Sequence, residues 1–498
     1  MPHDYEVIVI GVGPVGATTL GLLGRAGIRV LGIEKDAEHW SGARAVHFDG
    51  ETMRSLQTLE LAEPVTATSR PMEDFRFLNE DNEVLIAATL GQLGDQGWHD
   101  DVLFHQPDVE RLLDSVINQQ DSVTITREST VYDVDQEADG VRVWVRDAQG
   151  QEDSYTARYV ISCDGASSPV RRLLGVKTEN LGVDDPWLVV DGLLRGAPGI
   201  DGDMVFLGRW SRPALWIRQA GERVRMEFKV MPGDDPDELV TPAGIERVSR
   251  GVLGREHFTP DRATIYTFRA RLAEHWRVGD IFFAGDAAHQ APPLYGQGLC
   301  AGMRDAANLA WKLNYVLRGL AGESLLDTYE SERKEHARYW VQSAAEMAHL
   351  VQTTVPEVAA QRDAHMRANP GPASPPAPPL GPGLHADPAD GHSGYLSPQP
   401  ILADGTRLDD IVGYRFLLAA DPRILEELAD DVRGQLHDTA EIAVITDPTQ
   451  IGELLASTGR RATIVRPDHY ILGSADDAPA LVELLRSVPV AKSATPAR

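Results

Sequence analysis

Two cysteines in 498 residues, Cys163 and Cys300, neither in a CxxC pair, leave no material for a disulfide framework, a cysteine-rich zinc site or a dithiol redox centre. Positive charge is also scarce. Lys and Arg number 47 against 75 Asp and Glu, a formal charge of −28 that no basic run offsets. Such a surface repels phosphate backbones and anionic headgroups, so neither nucleic acid nor membrane is expected as a partner. Uninterrupted apolar runs are short. The uncharged window Val7 to Gly24 is about as long as a membrane span, yet it contains five glycines, a proline and two threonines. The segment before it is acidic where a secretory leader would be basic, and a cytoplasmic location is the expectation. The fifteen histidines show no HxH or HxxxH spacing beside acidic partners, so no metal site is expected.

The length predicts about three structural units. Tyr5 to Ile10 is a β-branched run that stops at Gly11, a small-residue helix follows from Gly13 to Arg25, and Ile28 to Ile33 reads as a second strand closed by Glu34. Gly11-x-Gly13-x-x-Gly16 therefore sits between strand and helix, with Glu34 18 residues after Gly16. The first glycine allows a tight turn, the second lets backbone approach a pyrophosphate, and the third permits close helix packing, while Glu34 can accept from a ribose hydroxyl. This turn alone does not separate FAD from NAD. Two further strands end in aspartate turns, Cys163-Asp164-Gly165 with Ser168 and Arg171, and Gly285-Asp286-Ala287. Strand patterns from Trp187 to Phe268 read as an inserted sheet, and Asn369 to Gly383 holds seven prolines in fifteen residues, a linker or surface wrap. Strand and helix patterns resume beyond it.

With these motifs in this order the chain resembles the class A flavoprotein monooxygenases, the single-component aromatic hydroxylases, over most of its first 345 residues. Trp187-x-Val189-Val190-Asp191, Phe228-x-Val230-Met231-Pro232-Gly233 and the run Gly296 to Leu313 are most similar to 3-(3-hydroxyphenyl)propionate hydroxylase and its relatives, phenol hydroxylase among the wider set. The resemblance implies an α/β fold. A Rossmann-like FAD-binding domain of the para-hydroxybenzoate hydroxylase type would occupy 1–180 and 273–368, with an inserted β-sheet substrate domain at 181–272. A Pro-rich linker, 369–398, would lead to a thioredoxin-like domain without redox cysteines, 399–498. FAD is the implied cofactor and NADH or NADPH the transient reductant, bound without a second nucleotide domain. The implied reaction is hydroxylation of a small phenolic compound with O2 by way of a flavin C4a-hydroperoxide. A larger polyketide-like substrate and non-catalytic flavin binding are the alternatives, and a homodimer is compatible with all of them.

The same resemblance assigns residues. Cofactor contacts are expected at Gly11, Gly13, Gly16, Glu34, Lys35 and Gln106, then at Asp164, Asp286, Pro293, Gly296, Gly298 and Leu299. Arg44 would meet FAD or the nicotinamide nucleotide, or else lie on the surface. A helix beginning near Gly302 to Asp305 would aim its positive end at the flavin. Phenol titrates near pH ~10, so a positioned base is needed to form phenolate near neutrality. Asp49, near the place where phenol hydroxylase carries such an aspartate, is the first candidate; His47, two residues away and on the same face of a strand, is the second. Trp210, Trp216, Met226, Pro292 and Tyr295 are expected to wall the ring pocket, although aromatics at strand spacing also serve as plain core.

Overall fold

Four sheets organise the described residues of this computed structural model, which are 3–38, 45–196, 200–250, 252, 258–369 and 375–489. Arg44 lies outside them. In the first sheet, strand Tyr5–Ile10 runs parallel to Val30–Ile33 on one side and to Glu152–Ser162 on the other, and Glu152–Ser162 runs parallel to Ile281–Phe283. Val7, Ile8 and Val9 are fully buried, and an unbroken apolar run is what a strand covered on both faces needs. Helix Pro14–Arg25 packs against helix Gln297–Leu317 beside it.

The second sheet has eight strands in the order His289–Gln290, Phe258–Ala273, Thr178–Leu194, Arg223–Lys229, Ala214–Arg218, Met204–Leu207, Asp74–Leu78 and Val84–Thr89. It therefore draws two strands from residues 74–89, before the inserted region, and one short strand from after it. One face is sealed by helices Pro236–Leu239 and Pro242–Ser249 through a cluster that includes Trp216, Met226, Phe228, Leu239 and Ile245. A three-stranded ribbon, His47–Asp49, Asp101–Leu103 and Arg70–Pro71, falls in sequence between first-sheet strands Val30–Ile33 and Val123–Thr126.

Near the C-terminus four strands stand in the order Ile442–Ile445, Phe416–Ala420, Ala462–Val465, Ile471–Ala475. The first pair is parallel and the rest antiparallel, with helices Pro448–Thr458 and Ala478–Ser487. The Pro-rich segment reaches it as a strap: Gly381 N–H donates to the Glu332 carbonyl at 2.9 Å and Ala386 N–H to the Leu472 carbonyl at 2.7 Å. A buried ionic cluster locks this unit down. Glu332 accepts from Lys312 at 2.7 Å and from Arg466 at 2.7 Å, and Arg466 also pairs with Asp468 at 2.7 Å. Burial would raise the Glu332 carboxyl, but Arg466 and Lys312 hold it far below the usual carboxylate range. Among the described residues no helix is long and apolar enough to cross a membrane.

One expected boundary moves. The long helix starts at Gln297, not near Gly302 to Asp305, with Gly296 as its N-cap at φ +65°. Gly302, inside its second turn, serves packing: a Cβ there would come within 2.6 Å of Val15. Arg304 and Asp305 consequently lie two turns inside the helix, both buried.

Candidate active site

The turns that follow the carboxyl ends of the parallel strands open onto a cavity of about 540 Å³, roofed by the second sheet. Gly11, Gly13, Glu34, Lys35, Gln106, Asp164, Asp286, Pro293, Gly296, Gly298 and Leu299 all line it. The glycine turn is shaped for a group that comes close to backbone. Gly11 has φ +91°, and a Cβ there would lie 2.5 Å from the Cys163 carbonyl oxygen; at Gly16 it would lie 1.9 Å from the Gly11 carbonyl oxygen. A Cβ on Gly13 or Gly298 meets no atom within 4 Å, so the backbone at both is open to a ligand. These features fit a dinucleotide. Gly16 itself does not line the cavity; it lets the helix close on the turn.

The carboxylates brace the turns as well as face the cavity. Glu34 accepts from Val12 N–H at 2.8 Å, and Asp164 accepts from the Ser162 hydroxyl at 2.6 Å and from Val170 N–H at 3.0 Å. Arg171 then ties the two aspartate turns together, donating to the Ala287 carbonyl at 2.6 Å and the Ala166 carbonyl at 2.9 Å. Asp305, which the sequence reading placed only at a helix start, anchors the Gly285–His289 stretch from beneath. It accepts from Gly285 N–H at 3.0 Å and from Arg333 at 3.0 Å, and lies 2.8 Å from His289 Nε2. Gln106 opens helix Gln106–Ile117, accepting from Ala45 N–H at 2.9 Å and donating to Glu110 at 2.7 Å.

Of the two candidate bases, the structure brings only His47 to the cavity. Asp49 is the N-cap of helix Gly50–Thr58: one oxygen accepts from Thr52 N–H at 2.8 Å and the Thr52 hydroxyl at 2.7 Å, and the other is ion-paired with Arg304. Burial would raise its carboxyl, but Arg304 and the Thr52 hydrogen bonds outweigh this and lower it, so it is a poor proton acceptor facing away from the cavity. The short strand explains the split, since His47 and Asp49 share a face but helix capping turns the aspartate aside. His47 is buried, and its Nε2 lies 2.8 Å from Asp101 Oδ1. Burial alone would push the imidazole down; the hydrogen bond and charge of Asp101, with Cys300 adding to them, raise it to about 10. Its Nδ1 has no hydrogen-bond partner among the described residues, and a Cβ on Gly296 would come within 2.5 Å of it.

The expected ring-pocket residues need correction. Trp216 and Met226 are cross-strand partners on the helix-covered face of the second sheet, with the Trp216 indole N–H donating to the Gly202 carbonyl at 3.1 Å. Trp210 is 38% exposed in a loop, and Pro292 and Tyr295 do not line the cavity although Pro293 between them does. Strand alternation puts the neighbouring positions on the cavity side: Val189, Leu215, Ile217, Arg225, Glu227, Thr264, Tyr266 and Phe268. Arg225 binds Asp191 through Nε at 2.7 Å and Nη2 at 3.1 Å, and Arg262 approaches the same carboxylate at 3.5 Å. Glu227 is buried among them with its carboxyl pushed up to about 7 by desolvation. Only the period of two, applied with the charged positions facing inward, would have revealed these residues from sequence.

Comparison with known proteins accords with this geometry. The family described as FAD binding domain matches residues 4–344. A probable NADH-specific resorcinol 4-hydroxylase of Rhodococcus jostii (strain RHA1) is 34% identical over 519 aligned positions, covering 99% of this chain and 96% of that protein. A 3-(3-hydroxy-phenyl)propionate/3-hydroxycinnamic acid hydroxylase of Comamonas testosteroni is 36% identical over 344 positions, 67% of this chain and 56% of that enzyme's length. Among solved structures, the rebeccamycin biosynthetic enzyme RebC with reduced flavin superposes with a TM-score of 0.79 at 22% identity, covering 99% of this chain and 100% of that one. Aklavinone-11 hydroxylase in complex with FAD and aklavinone gives 0.79 at 22% identity, over 98% of this chain and 99% of that one. These two show the shared fold. The chain belongs to the FAD binding domain family, among its FAD-dependent aromatic-ring monooxygenases.

Proposed function

We propose that the protein hydroxylates a small phenolic compound with O2 and NADH, and that His47 is the residue that activates the phenol. The observation that carries this reading is the His47–Asp101 contact at 2.8 Å, which holds a buried imidazole on the cavity lining that Gly296, Gly298 and Leu299 share. The Gly11–Gly13 turn, Glu34, Asp164, Asp286 and the backbone at Gly296 and Gly298 would hold FAD, with Lys35 and Gln106 beside them. Bound FAD would supply the transfer of electrons from NADH that activates O2.

The protein's own part is electrostatic and steric. With its pKa raised to about 10, His47 is an imidazolium through neutral pH, so it donates a hydrogen bond and a positive charge instead of taking a proton. A phenol oxygen against it is stabilised as phenolate, its proton left in bulk water, and phenolate pushes electron density onto its ortho and para carbons. Asp101 fixes the ring's orientation. Val189, Leu215, Ile217 and Phe268 give the ring apolar walls and keep water from the reacting carbon.

The test is an absorbance spectrum of the purified protein followed by NADH oxidation with and without a panel of phenols. A flavin spectrum, oxidation stimulated by a small phenol, and a catechol or hydroquinone product support the reading. Bound flavin with no stimulation by any small phenol overturns it.

A further inference from the structure

The cavity wall opposite the nucleotide turns carries a charge that packing alone does not account for. Arg225 and Glu227 occupy successive cavity-facing positions of strand Arg223–Lys229. The cross-strand partners of Arg225 are Asp191 and Ile217; those of Glu227 are Val189 and Leu215. Arg225 thus has an acidic neighbour that engages two of its nitrogens. Glu227 has an apolar residue on each side and is 3% exposed. Its nearest cation is Arg225 Nη1 at 3.9 Å, too far for a hydrogen bond, and it makes no hydrogen bond among the described residues. A buried carboxyl left in this way is costly unless something enters to bond it. The cavity is the direction left open.

We propose that Glu227 is a specificity-determining residue that hydrogen-bonds a second hydroxyl on the aromatic ring, making the pocket selective for uncharged dihydroxybenzenes over phenols that lack a second hydroxyl or carry a carboxylate tail. This rests on the phenol-hydroxylating reading given above. Two features favour a neutral hydroxyl as the partner. The carboxyl pushed up to about 7 exchanges readily between acid and carboxylate, so it can either donate to a hydroxyl or accept from one. Arg225 and Arg262 both converge on Asp191, so the cations of this wall are turned towards a protein carboxylate, and an anionic tail would approach Glu227 itself. Recognition through a buried polar group also explains selectivity, because a ligand lacking the hydroxyl leaves that group unbonded.

The experiment titrates the FAD-loaded protein with resorcinol, phenol and 3-(3-hydroxyphenyl)propionate, following the change in flavin absorbance on binding and not turnover. The wild type is expected to bind resorcinol roughly tenfold to hundredfold more tightly than phenol, the worth of one hydrogen bond to a charged group, and more tightly than the propionate. In Glu227→Leu the phenol-to-resorcinol ratio of Kd falls towards one. Glu227→Gln, which keeps a hydrogen-bonding group of the same shape, retains part of it, and flavin content checks that both variants fold. A wild-type ratio near one, tighter binding of the propionate than of resorcinol, or an unchanged ratio in Glu227→Leu overturns this inference while leaving hydroxylation intact. A wild-type protein that holds FAD but binds no phenol at all overturns both.

Discussion

Asp101→Asn isolates the charge that the proposed chemistry needs. In the wild type an imidazolium about 4 Å from a phenolate oxygen contributes about 4 kcal/mol at an effective dielectric of about 20. That equals about three pH units of phenol acidity, enough to bring a bound phenol from its ordinary value of ~10 to ~7. Asparagine keeps the size and the hydrogen bond of Asp101 but not its charge. Burial then acts on His47 without that opposing charge, and its pKa falls from about 10 towards or below the ordinary 6.5, so the ring is neutral at pH 7.5. The assay is the phenolate absorbance band of the bound phenol as a function of pH, together with the rate of phenol-stimulated NADH oxidation. The wild-type midpoint is expected near pH ~7, and in Asp101→Asn about three pH units higher, with the rate at pH 7.5 down roughly a hundredfold. Stability moves in the matching direction. A histidine whose folded pKa is raised contributes stability that is fully present below about 6.5 and is lost as pH rises through about 10, so the wild type weakens at that alkaline limit and the variant has no such contribution to lose. Identical midpoints in the two proteins would refute the electrostatic role of the pair.

Three further outcomes follow from packing. Gly16→Ala places a Cβ 1.9 Å from the Gly11 carbonyl oxygen, so the glycine turn must shift, and FAD is expected to separate from the variant on gel filtration. Met226→Ala empties a site on the helix-covered face of the second sheet; it is expected to lower stability to denaturant by about 2–5 kcal/mol while the Kd for phenol stays as in the wild type. Glu332→Gln leaves Lys312 and Arg466 to share Asp468 in full burial, a cost of about 3–5 kcal/mol, and amide hydrogen exchange in strand Ala462–Val465 is expected to quicken at least roughly a hundredfold. Because the Glu332 carboxyl is lowered in the folded state, its contribution is present above the ordinary carboxylate range and disappears only in acid.

The nucleotide half of the fold was legible because its signals are local. Tyr5 to Ile10, the glycines and Glu34 lie within one βαβ unit; Gly11 and Gly16 are demanded by close backbone contacts, and Gly13 leaves its backbone open to the cavity. The substrate wall was not legible for the opposite reason. Val224, Met226 and Phe228 alternate with Arg225 and Glu227, and charged positions in a strand normally face water; here they face a cavity walled jointly by strands from residues 178–273 and the turns of the first sheet. Asp49 ranked ahead of His47 by resemblance, and spacing put both on one strand face. What separates them is Arg304, which comes from a helix more than 250 residues later in the chain and ties up the aspartate.

The same residue shows why the C-terminal unit belongs to the working molecule and not merely to its periphery. Arg304 pairs with Glu51 as well as with Asp49, and Glu51 accepts from the Tyr470 hydroxyl at 2.8 Å. Tyr470 follows Arg466 and Asp468, which sit in the buried cluster with Glu332 and Lys312. Arg54, on the helix that Asp49 caps, pairs with Asp409 and donates to the Ser397 carbonyl at 2.6 Å. Arg54–Asp409 and Glu332–Arg466 are ion pairs across the boundary and Tyr470–Glu51 is a buried hydrogen bond across it, so separating the two parts would leave several ions uncompensated at once. Strand His47–Asp49 and the helix after it are thereby held from both ends, by the nucleotide half through Gly296 and by the C-terminal unit through Tyr470 and Asp409. His47, whose proposed role depends on a single 2.8 Å contact with Asp101, sits on the element that this double anchorage holds.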